Sequence, residues 1–151
     1  MSIKRKRGIY AGSPRKGKWE GNLTEGKGSM ALGSGTFEAP FSFVTRLKEE
    51  KGTNPEELIG AAHAGCFSMA LSSALTKAGH PPRSIETKAD VHLDKVGDKL
   101  RITLIRLSTE ATVPDIDEET FRKLAEDTKV NCPVSQALSA TTIELAAKLT
   151  T

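Results

Sequence analysis

Between Leu58 and Thr76 no residue carries a permanent charge, and Ala, Leu, Gly, Ser and Met fill every side of a helical wheel. This run predicts one helix over Pro55–Ala78, about 36 Å long at 1.5 Å per residue. Asn54 suits the N-cap, Pro55 the first helical position, and Glu56 and Glu57 the positive end of the helix dipole. Gly79 followed by Pro81 and Pro82 stops it. A helix that is apolar all round is expected to be buried all round. A chain of 151 residues has little left to wrap it, so a partner subunit is expected.

Upstream, "KWEGNL", "GKGSMAL" and "EAPFSFVTRL" are short segments punctuated by Gly, Ser and Pro, and they predict antiparallel strands. In the third, alternation puts Phe41, Phe43, Thr45 and Leu47 on one face and Ser42, Val44 and Arg46 on the other. Downstream, Ser84–Val113 reads as two strands with a turn at Val96–Lys99. The second strand, Leu100–Val113, loses its alternation at Leu104–Ile105, which predicts a bulge or a change of buried face. Asp117–Lys129 is an amphipathic helix with Phe121, Leu124, Ala125 and Thr128 on one side. "CPVSQAL" is a short helix with Pro133 first, and "TTIELAAKLT" alternates as a strand. The expected fold is an α+β domain in which an antiparallel β-sheet wraps around a long central helix.

Composition adds bounds. An apolar content of 37% and a charged content of 27% fit one folded domain. The net charge of +3 is concentrated at the start, where Lys4, Arg5, Lys6, Arg7, Arg15, Lys16 and Lys18 meet no acidic residue. Residues 1–17 are expected to be a flexible, solvated lead-in and 18–151 the folded domain. A nucleic-acid binder would show a basic face with a recognisable motif, and neither is evident. The basic start is not followed by the apolar run of a signal peptide. The longest apolar stretch, Leu58–Leu75, contains His63 and several Ser and Gly, and reads as a core helix rather than a membrane span. The expected compartment is the cytoplasm.

The chemistry rests on two cysteines, Cys66 and Cys132, with no CxxC pair and only three histidines, a poor supply of zinc ligands. Cys66 reads either as a small core hydrophobe or as a nucleophile. An ordinary thiol is only about 3% ionised at pH 7, and burial lowers that fraction. Its own helix offers no cation before Lys77, so a reactive Cys66 needs one from elsewhere. Arginine suits because it stays charged when desolvated. Cys132 stands immediately before Pro133 at the N-cap of a short helix, either a stabilised thiolate or merely a poor cap. His63, three residues before Cys66, is either its activating base or a buried histidine hydrogen-bonded nearby. Two classes of function stay open at this point: a thiol enzyme, peroxidase or Cys–His hydrolase, and an apolar-ligand-binding module with incidental cysteines.

The segments "RLKEEKGTNPEELIGAAHAGCFSMALS" and "NCPVSQAL", with "WEG", "DVHLDKV" and "VPDID", strongly resemble the osmotically inducible protein C (OsmC) family, relatives of the organic hydroperoxide resistance proteins. The resemblance runs from Trp19 to the final strand and is closest to the OsmC subgroup. Gly65 departs from it, standing where the family usually has alanine. The resemblance implies an intertwined homodimer and a thiol peroxidase acting on organic hydroperoxides, and on hydrogen peroxide less well. It matches Cys66 to the peroxidatic cysteine and Cys132 to the resolving one. Arg46 matches the arginine that stabilises the thiolate, and Glu56 the glutamate that holds that arginine. His63 matches no catalytic position. No metal or bound cofactor is implied, and external thiols, notably dihydrolipoyl groups on proteins, supply the electrons. Ten residues separate Glu56 from Cys66, about 15 Å along an unbroken helix. Either the helix breaks between them or Glu56 serves the Cys66 of a partner subunit.

Overall fold

The computed structural model describes residues 16–48 and 50–150. The basic lead-in expected over residues 1–17 therefore lies, up to residue 15, outside the described residues. The described residues form two compact units, divided between Asn54 and Pro55.

In the first unit, β1 (Lys16–Glu20), β2 (Lys27–Ala31) and β3 (Glu38–Phe41) form an antiparallel sheet in that order. Trp19 and Phe41 pack together with ring centroids 5.4 Å apart. They close over Gly28, where a Cβ would come within 2.5 Å of Phe41 and 2.7 Å of Trp19. The strand expected through Leu47 ends at Phe41, and Phe43–Leu47 is a short helix, α1. Ser42 and Thr45 explain the difference. The Thr45 N–H donates to Ser42 Oγ (3.2 Å) and the Ser42 N–H to Thr45 Oγ1 (2.8 Å). This reciprocal capping box starts a helix where alternation alone suggested a strand. Arg46 thus sits in the last turn of a helix, not on a strand face.

The second unit is built on α2 (Pro55–Lys77), which is unbroken along its 23 residues. β4 (Ser84–Val96) and β5 (Lys99–Thr112) pair antiparallel through a turn at Gly97 and Asp98, with Gly97 at φ 64°. The expected slip is present. The register shifts between His92 and Leu93, which face Leu104 and Ile102, so Thr103 is the extra residue. The bulge lets both Ile102 and Ile105 reach the core although they are an odd number of residues apart. After β5 the chain makes α3 (Glu118–Asn131) and α4 (Pro133–Ala137) before β6 (Thr142–Thr150). β6 runs parallel to β5, so the sheet is mixed rather than wholly antiparallel. A parallel pair needs a crossover of a dozen or more residues, and α3 and α4 are that crossover.

The core of this unit joins Phe67, Leu71 and Leu75 of α2 to Ile105, Leu107 and Ala111 of β5 and Phe121 and Ala125 of α3. By length and composition α2 could cross a membrane, but here one face of it lies under its own unit. It is not buried all round. Ala62, Gly65, Met69 and Ser73 form an exposed stripe, and Met69 is 79% accessible. Phe67→Ala, at a fully buried side chain, is expected to cost about 3–5 kcal/mol in denaturant unfolding.

Candidate active site

α2 presents Cys66 to the start of α4. Cys132 closes α3 as its C-cap and opens α4 as its N-cap, as the position before Pro133 predicts. Its thiol makes no capping hydrogen bond. It points instead to Cys66, with the two sulfurs 3.1 Å apart. Both cysteines are free thiols. Cys132 is buried and Cys66 is partly exposed. Closing to a disulfide of about 2.05 Å needs only a small movement.

Burial pushes the Cys66 thiol above its ordinary value, and the adjacent Cys132 sulfur adds to this, chiefly through the hydrogen bond between the two sulfurs and less through the repulsion of two charges. One neighbour works the other way. The Val134 backbone N–H, in the first turn of α4, faces the Cys66 sulfur and favours its thiolate. Cys66 is the more accessible of the two sulfurs, and Cys132 lies behind it.

His63 does not serve Cys66. It is fully buried, and its Nε2 lies 2.8 Å from Ser135 Oγ, while Nδ1 has no hydrogen-bond partner. Burial lowers its pKa, so the ring is neutral. An orphaned N–H costs more than an orphaned lone pair, so we assign Nε2–H as the donor and Ser135 Oγ as the acceptor. The Cys–His dyad is absent, and His63 follows its alternative reading as a buried histidine hydrogen-bonded nearby. Sequence reading missed Ser135 and the Val134 amide. A signal was present: His63 is three residues before Cys66 and Ser135 three after Cys132, so each pair lies on one helical face.

Glu56 is buried in the first turn of α2. Because α2 does not break, Glu56 stays about 15 Å along the axis from the Cys66 of its own chain. Arg46 lies in α1 of the other unit. A groove of about 320 Å³ between α2 and α3 is lined by Ala70, Ser73, Ala74, Lys77, Asn131 and Cys132. A larger depression of about 490 Å³ lies on the sheet among Glu86, Lys88, Ser108, Glu110 and Lys148, and contains neither cysteine. Among the described residues no three His, Cys, Asp or Glu side chains gather as metal ligands.

Comparison with known proteins bears on the family and the fold. The family model described as OsmC-like protein matches residues 48–146. The proteins named Peroxiredoxin OsmC from Escherichia coli (strain K12) and from Shigella flexneri are each 54% identical over 123 residues, 81% of this chain and 86% of theirs. Among solved structures, an organic hydroperoxide resistance protein OsmC from Legionella pneumophila superposes with a TM-score of 0.68 at 17% identity, covering 96% of this chain and all of its own. The organic hydroperoxide resistance protein OhrB of Bacillus subtilis gives 0.61 at 20% identity, covering 91% of this chain and 98% of its own. The distant structures share the fold, the family model and the two closely similar sequences share far more, and the chain belongs to the OsmC family.

Proposed function

We propose that the chain is a thiol-dependent peroxidase that reduces organic hydroperoxides, and hydrogen peroxide less well, through Cys66 and Cys132. The observation that carries this reading is the 3.1 Å approach of the two sulfurs. The Cys66 thiolate attacks the distal oxygen of ROOH. The O–O bond breaks, ROH leaves after taking a proton, and Cys66 becomes a sulfenic acid. The Cys132 thiol then displaces water, and the S–S bond forms. An external dithiol, a dihydrolipoyl group on a protein, is oxidised as it returns the pair to thiols. The alanines beside the pair suit an apolar peroxide better than hydrogen peroxide. A reducing cytoplasm would keep the pair cycling.

The thiolate needs a cation, because burial works against it and α2 has none before Lys77. Arg46 fills that role and Glu56 orients Arg46. The protein works as an intertwined homodimer, in which a second copy covers the Ala62–Gly65–Met69–Ser73 stripe and Glu56 serves the partner subunit's Cys66. The exposed stripe and the unbroken α2 support this arrangement.

Reduced protein treated with cumene hydroperoxide should lose two hydrogens and both thiols by intact mass and thiol titration. Cys66→Ser should abolish the loss, and Cys132→Ser should leave sulfenic or higher oxidation on Cys66. Persistence of both thiols under a modest excess of peroxide would favour an apolar-ligand-binding module. Arg46→Ala should slow peroxide consumption at pH 7 by about a hundredfold. Its rate–pH profile should move to higher pH, because a buried thiol without its cation ionises only there. A heterodimer of Glu56→Ala with Cys66→Ser should regain activity that neither homodimer has, since its one remaining Cys66 faces an intact Glu56 across the interface. Failure to regain it would place Glu56 outside the partner's site.

A further inference from the structure

α4 has five residues, too few to hold a helical shape without tertiary support. Its support decides where Cys132 and the Val134 amide sit. Only one α4 side chain is fully buried, Ser135, and its hydroxyl bonds to His63 of α2. The apolar contacts of Val134 and Leu138 with the core are partial, and apolar packing has no preferred direction. The His63–Ser135 bond is directional. It joins the same two helices as the sulfur pair, one turn away on each: His63 to Ser135 at 2.8 Å and Cys66 to Cys132 at 3.1 Å. The partners run in opposite order, so α2 and α4 meet antiparallel through two rungs.

We propose that His63 and Ser135 are positioning residues, a clasp that fixes α4 on α2 and so holds Cys132 within bonding reach of Cys66. The clasp touches neither peroxide nor reductant and acts through α4. Its place in catalysis rests on the peroxidase reading above. There, the Cys66 sulfenic acid has two fates. Condensation with the Cys132 thiol releases water and gives the disulfide. Attack on a second ROOH releases ROH and gives the sulfinic acid, which thiols do not reverse. A fixed Cys132 favours the first fate by raising its effective concentration at the sulfenic sulfur.

The test uses glutathione redox buffer, which needs no peroxide chemistry: the two protein thiols and one oxidised glutathione exchange to one protein disulfide and two reduced glutathiones. Ser135→Ala and His63→Leu are each expected to lower the effective concentration of the pair on the order of tenfold, about 30 mV for this two-electron couple. The double variant should be no worse than either single one, because both remove the same bond. Ser135→Thr, which keeps the hydroxyl, should stay within about threefold of the parent. Circular dichroism and thermal unfolding identify the variants that remain folded. Folded Ser135→Ala and His63→Leu proteins with parental redox equilibria would overturn the clasp, even if both melted earlier. In a second arm, cumene hydroperoxide should convert more of Ser135→Ala than of the parent to a species 32 Da heavier at Cys66. If the parent does not react with peroxide, the peroxidase reading fails, and the glutathione arm still decides the clasp.

Discussion

The two sulfurs meet because the chain crosses from β5 to a parallel β6 over the face of the sheet that carries α2. The crossover must be long, and this one is made of α3, a joint at Cys132, and α4. Cys132 is the joint itself, the last cap of one helix and the first of the next. Its backbone is extended between two helical segments, and its thiol is turned toward α2. Everything chemical in the C-terminal unit depends on that seating. It supplies the second sulfur, and it brings the Val134 amide to the first.

Electrostatics works against ionisation of Cys66. Cys66 lies at the edge of an apolar core, where desolvation resists ionisation. A single backbone amide offsets part of that resistance. A thiol raised above its usual value requires further help to be a thiolate at neutral pH. One neutral N–H supplies about 1 kcal/mol net. A nearby guanidinium is the economical source of the remainder, which is the role proposed for Arg46. The neutral, fully buried His63 cannot provide it. Its one hydrogen bond serves structure, and its unpaired Nδ1 shows that the ring is held by packing and Ser135 alone.

Much of this was legible in the residues. Caps and stops gave α2 to within a residue, because Pro55 and the Gly79–Pro82 stretch act locally. The broken alternation near Leu104 located the β5 bulge to within one position. Two features were hidden because they depend on relations that periodicity does not carry. Phe43–Leu47 alternates like a strand, and only the Ser42–Thr45 reciprocity, a three-residue relation, makes it helical. The parallel pairing of β6 is set by where the crossover lands, not by anything in the strand itself. At the site, α2 is buried by its own chain on one face only, with Met69 exposed, in line with the expectation that a chain this short cannot wrap an all-apolar helix alone. Cys66 and Cys132 were linked by family resemblance, and the structure places their sulfurs together. Ser135 went unnoticed although its spacing from Cys132 mirrors that of His63 from Cys66.

If α4 is already seated for the redox step before any oxidant arrives, a crystal structure of peroxide-treated protein should show it. Continuous density is expected between Cys66 Sγ and Cys132 Sγ, with α4 still helical and Ser135 still bonded to His63. A Cys66 carrying oxygen with Cys132 reduced beside it, or a disulfide reached only by unwinding α4, would contradict it.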